Sequence, residues 1–141
     1  ELHAPNILSY RGSIIRSHIH KGQLTGLQLP EAHITDVVFN NCRLNLANFR
    51  KVKFERCIFT ACDLTEADFS DANMHNALFE NCQIDLAEFS NVQCKRVEFL
   101  NTNLSQIKGV GGLSGSAITE ENLIEIAPLL AASHGIHLIA R

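Results

Sequence analysis

The protein has 141 residues, of which 45% are hydrophobic and 19% charged, and this composition is typical of one globular domain with a buried core. Its 12 basic and 15 acidic side chains give a net charge of −3, which excludes a broad basic surface for direct binding to nucleic acid or an anionic membrane. The sequence contains no apolar run of the roughly 20 residues that a membrane-spanning helix needs. Since its start also lacks the basic-then-apolar layout of a secretory signal, we expect a cytoplasmic protein.

Residues 1–11 precede a regular repeat and are predicted to form an N-terminal cap segment. From residue 24 onward, every fifth residue is a large apolar one. All eight phenylalanines of the protein belong to this class, which uniform scatter over five registers would produce about once in 10^5 trials. The members are Leu24, Leu29, Ile34, Phe39, Leu44, Phe49, Phe54, Phe59, Leu64, Phe69, Met74, Phe79, Ile84, Phe89, Cys94, Phe99 and Leu104.

A second class of mostly small residues, such as Ala67, Ala72 and Ala77, lies two positions before each large one. Two inward residues separated by one outward residue form the alternation of a short strand, and the two polar positions that follow must turn the chain. A unit of five residues cannot bury its own apolar side chains, so successive coils must stack. The pattern therefore predicts an all-β solenoid.

The segments ADFSD, ANMHN, ALFEN and AEFSN resemble the A(D/N)LXX consensus of the pentapeptide-repeat proteins. This resemblance implies a right-handed quadrilateral β-helix with four pentapeptides per coil. We assign residues 12–108 to the β-helix, 109–118 to a glycine-rich exit loop, and 119–141 to a small C-terminal module of a helix and a short strand. With strands ~4.8 Å apart, the shaft is predicted to be roughly 20 Å tall.

The five cysteines are an odd number without short metal-type spacings, so neither a disulfide framework nor a zinc site is expected. Cys42, Cys57, Cys62 and Cys82 occupy the small inward class, where Ala and Val stand elsewhere, and are interpreted as packing residues. The pair His18 and His20 is a weaker alternative, a metal clamp on one strand face. We expect no catalytic, cofactor-binding or metal residues and no cofactor.

The charged residues are unevenly distributed. Between Cys57 and Cys94 there is no Lys or Arg, and folding the sequence by twenty places six carboxylates on two neighbouring faces. A solvated polar surface and a binding surface for a basic groove both remain open here. We name this set the acidic surface: Asp63, Glu66, Asp68, Asp71, Asp85 and Glu88. The same folding places Lys53, Arg56, Lys95 and Arg96 together on a third face.

Val38, Ile58 and Leu78 fall in one outward column, which we name the aliphatic column. Other strands carry polar residues at this position. Either the N-terminal segment around Ile7, Leu8 and Tyr10 covers the column, or a partner meets it.

The C-terminal module begins at Thr119, a helix cap followed by Glu120 and Glu121. We expect a break near Ala127 because of Pro128, an end at Gly135, and then a short strand over residues 136–139. This module is similar to that of the DNA-mimicking, gyrase-protecting members of the family, where it pairs two chains. By that resemblance, five residues are candidates for a homodimer contact: Leu123, Ile126, Leu130, Ile136 and Leu138. A cap on the chain's own last coil is the other interpretation.

These features predict a non-enzymatic protein-binding or scaffold β-helix that acts through its outer surface, because packing consumes the inward residues. The alternative is a DNA-mimicking binder of DNA gyrase or topoisomerase that confers quinolone resistance. A metal-dependent enzyme is the third hypothesis, and it depends on His18, His20 and the inward cysteines alone.

Overall fold

The computed structural model describes residues 11–140. Its elements are strands β1 (Ser13–His20), β2 (His33–Asn40), β3 (Lys53–Thr60), β4 (Asn73–Glu80), β5 (Gln93–Leu100) and β6 (Ser116–Ala117), a 3-10 helix (Val110–Leu113), and helix α1 (Glu120–Ser133). Most of the predicted N-terminal cap segment, together with Ile7, Leu8 and Tyr10, lies outside the described residues. Among residues 11–140, no helix combines the length and hydrophobicity required to cross a bilayer.

The strands form one parallel sheet in the order β1 to β6. Apart from the corner residue within each strand, the residues of β1 pair with those twenty positions later in β2, as Ile14 does with Ile34, and the same offset continues through β5. A further ladder on the other faces joins residues such as Asp68 and Glu88 with the same spacing. Four pentapeptides therefore complete each coil, and the predicted all-β solenoid is confirmed. The repeat also includes β1, which the sequence indicated less clearly.

The chain turns at every fifth residue, where the backbone has a positive φ. Among non-glycine residues at these corners, φ ranges from 45° at Arg16 and Asn101 to 61° at Leu46. At the corners after Leu44 and Phe49, the amide of the fourth residue donates to the carbonyl of the first, as Ala47 does to Leu44 at 3.1 Å. This is the arrangement of a type II turn, which requires positive φ at its third residue.

The interior is filled by two columns of stacked phenylalanine rings. In one, Phe39, Phe59, Phe79 and Phe99 follow each other with ring centroids 4.9 to 5.0 Å apart. In the other, Phe49, Phe69 and Phe89 stack at 5.2 to 5.3 Å. The two columns meet edge to face, for example at 5.8 Å between Phe69 and Phe79. Each of these rings is fully buried, so burial of apolar area is the main stabilising contribution of the shaft.

The glycine-rich exit loop closes the upper end of the shaft. Val110 and Leu113 of its 3-10 helix are buried in the core cluster. A Cβ atom on Gly112 would lie 1.8 Å from the carbonyl oxygen of Phe89. Glycine is required here because the loop backbone lies directly on the last coil.

Helix α1 covers the remainder of this end. The Thr119 side chain accepts a hydrogen bond from the amide of Asn122 at 3.1 Å, so the predicted N-cap is confirmed. The end at Gly135 is also confirmed: its φ is 71°, and the amides of Gly135 and Ile136 donate to the carbonyls of Ala132 and Ala131.

Two expectations about this module are wrong. The helix continues through Pro128 without the predicted break, because Pro128 removes one backbone bond at an exposed position while Ile126, two residues earlier, remains anchored in the core. The predicted strand over residues 136–139 is absent, and the segment pairs with no strand of the sheet within residues 11–140.

Candidate functional site

The acidic surface lies on two neighbouring faces of the shaft. Asp68 and Glu88 are direct neighbours in the ladder between coils. Each also holds its own turn: the Asp68 carboxylate accepts from the amide of Ser70 at 2.9 Å, and Glu88 from the amide of Ser90 at 3.0 Å. Asp63 accepts from the amide of Thr65 in the same way, at 3.0 Å. These carboxylates therefore have fixed positions one coil apart.

The aliphatic column is formed as predicted from the sequence spacing. Val38 pairs with Ile58 and Ile58 with Leu78 across β2, β3 and β4. Ile58 is 37% exposed, and the other two are half-buried. Beside the column runs a groove of about 490 Å³. Its lining residues are Arg56, Cys57, Ile58, Asn76, Ala77, Leu78, Arg96 and Glu98.

A polar network lies at the edge of this groove. The Arg56 guanidinium donates to both carboxylate oxygens of Asp36, at 2.6 and 3.1 Å, and to Glu55 at 3.0 Å. The hydrogen bond from Arg56 lowers the pKa of the Asp36 carboxyl. Burial acts to raise the pKa of Glu55, but hydrogen bonds from Asn76 and His75 outweigh it and lower the value.

Two nearby cations have no such partner. Within residues 11–140, no side-chain hydrogen bond or ion pair is made by Lys95 or Arg96. The face that carries them, together with Lys53, is therefore a basic counterpart to the acidic surface.

Three cysteines form a thiol ladder at one corner of the shaft: Cys42, Cys62 and Cys82. Each thiol donates to a carbonyl of the coil below, as Cys62 does to Phe39 at 3.2 Å and Cys82 to Phe59 at 3.2 Å. Thr102 continues the ladder with its hydroxyl, which bonds Phe79 at 3.3 Å. At this corner no turn-closing backbone bond joins residues 39 and 42 or 59 and 62, so the side chains tie the coils together.

Cys57 makes a similar bond, to the carbonyl of Ile34 at 3.2 Å. Burial raises the pKa of its thiol to about 11, so the thiolate needed for nucleophilic chemistry is scarce at neutral pH. The packing interpretation of these cysteines is supported by contacts that the sequence did not indicate.

The histidine pair His18 and His20 lies on the first coil, with ring centroids 6.4 Å apart. Within the described part of the chain, no group of three His, Cys, Asp or Glu residues is arranged to hold a metal ion.

The candidate dimer contact divides into two parts. Ile126 is only 4% exposed and Leu130 packs against the core, so these two serve the chain's own cap. Leu123, Ile136 and Leu138 face outward, at 52% to 70% exposure.

Sequence reasoning missed one surface, a ridge of corner residues that we name the leucine ridge: Leu46, Glu66 and Leu86. The two leucines are 52% and 42% exposed and have φ values of 61° and 60°. The signal is present in the sequence, because Leu46 and Leu86 are forty residues apart and fall in the same corner register as Glu66 of the acidic surface.

A comparison with known proteins found several solved structures that are similar to this chain, and it found no match among curated proteins. QnrB1, a plasmid-mediated fluoroquinolone resistance protein, is 14% identical over 89% of this chain and 100% of its own, with a TM-score of 0.37. HetL, a pentapeptide repeat protein involved in heterocyst differentiation regulation from the cyanobacterium Nostoc sp. strain PCC 7120, is 19% identical with a TM-score of 0.40. That alignment covers 71% of this chain and 40% of HetL.

A third structure, the pentapeptide repeat protein Rfr23 from the cyanobacterium Cyanothece 51142, is 9% identical over 83% of this chain and 91% of its own, with a TM-score of 0.30. The model of the pentapeptide repeat region matches residues 32–108, more than half of the chain. This match lies within the coils described above. The chain belongs to the pentapeptide-repeat family.

Proposed function

We propose that this protein is a non-enzymatic protein-binding or scaffold β-helix that acts through its outer surface. The observation that carries the proposal is the use of the interior. The phenylalanine columns and the thiol ladder fill the shaft, so the side chains available to another molecule are those of the outer columns. These columns repeat at the spacing of the coils and present charges and aliphatic groups at fixed heights.

The proposal is tested by capture from a lysate of the host on immobilised protein. Three variants each alter one surface: Asp68→Asn with Glu88→Gln, Ile58→Gln with Leu78→Gln, and Leu123→Gln with Leu138→Gln. We expect a protein that the parent chain retains and that one variant loses. Retention of the same proteins by the parent, by all three variants and by the blank resin would refute binding through the outer surface.

DNA gyrase is the more specific candidate partner, bound by the acidic surface as a mimic of DNA. The six carboxylates of the acidic surface occupy two faces, and no Lys or Arg lies between Cys57 and Cys94. Two cations adjoin them in the ladder, Arg43 beside Asp63 and Lys108 beside Glu88, so the negative charge is concentrated in the middle coils. Asp68 and Glu88 are one coil apart, ~4.8 Å along the shaft, which is of the same order as the ~3.4 Å of helix axis per phosphate on one DNA strand.

The decisive assay is supercoiling by purified gyrase, with and without a quinolone, at micromolar concentrations of this protein. We expect inhibition or protection by the parent chain and a weaker effect from Asp68→Asn with Glu88→Gln. Glu98→Gln, which neutralises a carboxylate on β5 away from the acidic surface, is the matched control. No inhibition and no protection would end this candidate and leave other protein partners open.

A second copy of the chain is the candidate partner of the C-terminal module. Leu123, Ile136 and Leu138 are more than half exposed and leave apolar area uncovered in this module. The segment after Gly135 has no strand neighbour within residues 11–140, and a second copy can supply one. Sedimentation should give a dimer for the parent chain and a monomer for Leu123→Gln with Leu138→Gln. A monomeric parent at all concentrations would contradict this contact.

A further inference from the structure

The leucine ridge is an unusual use of corner positions. Leucine at positive φ is disfavoured because its Cβ crowds the backbone, and asparagine is the ordinary non-glycine choice there. The chain does use asparagine at Asn41, Asn76, Asn81, Asn91 and Asn101. Leu46 and Leu86 instead combine a disfavoured backbone with exposed apolar side chains, and the coil does not need either of them for its core.

The ridge lies diagonally across the shaft from the groove beside the aliphatic column. Four corners complete a coil, and the ridge corners precede the corners of Arg56, Asn76 and Arg96 by ten residues, which is two corners. The ridge thus protrudes on one edge of the molecule and the groove opens at the opposite edge.

The two surfaces match in height and in charge. Leu46 follows Val38 by eight residues, less than half a coil, which is about 2 Å along the axis. If a second copy is translated sideways without rotation, its ridge therefore lies at nearly the same height along the shaft axis as the groove of its neighbour. The ridge is the edge between the two faces of the acidic surface. The groove is lined by two cations, Arg56 and Arg96, against one carboxylate, Glu98, and it adjoins the face of Lys53 and Lys95.

We propose that copies of this chain associate side by side, with the leucine ridge of one copy seated in the groove over Ile58 and Leu78 of the next. Opposite charges align the copies, and Arg96, which has no partner within the described residues, faces the carboxylates beside the ridge. Each copy keeps a free ridge at one edge and a free groove at the other. The contact is heterologous, so it extends into open arrays and does not close at two copies. This inference goes beyond the proposed binding function and does not depend on the identity of any other partner.

The test uses the full chain with Leu123→Gln and Leu138→Gln in every sample, so that the C-terminal contact does not contribute. Sedimentation velocity from about 5 µM to about 500 µM should show species larger than dimers, as expected of a weak contact of small area. The weight-average mass should at least double over this range and fall back as salt is raised to about 1 M, where the Debye length is about 3 Å.

Two variants divide the contact. Leu46→Asn with Leu86→Asn removes the ridge with residues that the corners accept, and Ile58→Gln with Leu78→Gln removes the groove with residues typical of that outer position. Each variant alone should remain monomeric. A mixture of the two should form a one-to-one dimer and stop there, because the first retains only a groove and the second only a ridge.

Gln93→Asn, at an exposed position of β5 that belongs neither to the leucine ridge nor to the groove lining, should assemble like the parent and serves as the control. The proposal is overturned if the parent is monomeric at about 500 µM, if either variant assembles as the parent does, or if the mixture stays monomeric. A lysate protein that binds the groove while the parent remains monomeric would overturn it as well, and would leave the proposed binding function intact.

Discussion

Replacing Phe59 by leucine is predicted to destabilise the shaft far more than the same change at Phe39. Both rings are fully buried in the same column. Phe59 is stacked on both sides, 5.0 Å from Phe39 and 4.9 Å from Phe79, and it also meets the edges of Phe49, Phe54 and Phe69. Among the described rings, Phe39 stacks on Phe59 alone.

The two changes remove nearly the same apolar volume, so their difference isolates the ring contacts. Phe→Leu is a modest large-to-small exchange, whose lost burial and residual cavity together cost about 1–2 kcal/mol, and this is the loss we expect for Phe39→Leu. Phe59→Leu also loses a second stack and three edge contacts, each worth ~0.5–1.5 kcal/mol, although leucine recovers part of the packing. We therefore expect Phe59→Leu to cost about 2 kcal/mol more.

Urea unfolding followed by circular dichroism measures the free energy of unfolding of both variants and the parent. At ~2–4 °C per kcal/mol for a chain of this size, the melting temperatures of the variants should differ by about 4–8 °C. A difference below about 0.5 kcal/mol would show that the column is apolar filling without specific ring contacts, and would refute the reasoning.

Three further outcomes are expected. Cys62→Ala should lower the free energy of unfolding, measured in urea, by about 1–2 kcal/mol, because the Phe39 carbonyl loses its donor. Cys62→Thr should recover much of this loss, because a threonine hydroxyl makes the equivalent bond at Thr102, and equal losses in both variants would argue against the bond. Asn122→Ala should lower the free energy of unfolding by about 2 kcal/mol, because the buried side-chain amide of Asn122 donates to the Thr102 carbonyl at 2.9 Å and to Glu125 at 2.6 Å. Hydrogen exchange in α1 should accelerate, and unchanged exchange would contradict the anchoring role. The lowered pKa of Asp36 stabilises the fold above the unfolded value of 3.8, and this contribution is lost as the pH falls below it. The melting temperature of Arg56→Gln should thus fall less between pH 5 and pH 3 than that of the parent, and an identical fall would remove Arg56 as the cause.

The solenoid could be predicted from the sequence because its cause is local. The alternation of inward and outward residues within each unit of five is visible in any stretch, such as residues 67–91. The period of five does not determine how many sides each coil has, because the same residues point inward whatever the number of pentapeptides per coil. The number of sides came from the family resemblance, and the pairing of Ile14 with Ile34 bears it out.

Other features depend on contacts that a local pattern does not contain. Cys62 and Ala67 belong to the same small class, yet Ala67 closes a turn with its own amide while the corner of Cys62 lacks that backbone bond. The helix continues through Pro128 because burial of Ile126 stabilises it there, which outweighs the low helix propensity of proline. The residues after Gly135 have a strand-like sequence, but strand formation also requires a paired neighbour, which a local pattern does not specify.

The offset of twenty residues between coils has a consequence for how such a shaft can change. Duplication of one pentapeptide would preserve both inward classes but move every later outward residue one side further round the shaft. Leu86 and Glu88, for instance, would each move to the neighbouring edge or face. Duplication of a whole coil would lengthen the shaft and leave each face aligned. Small duplications can therefore rearrange the recognition surface of this protein while its interior stays the same.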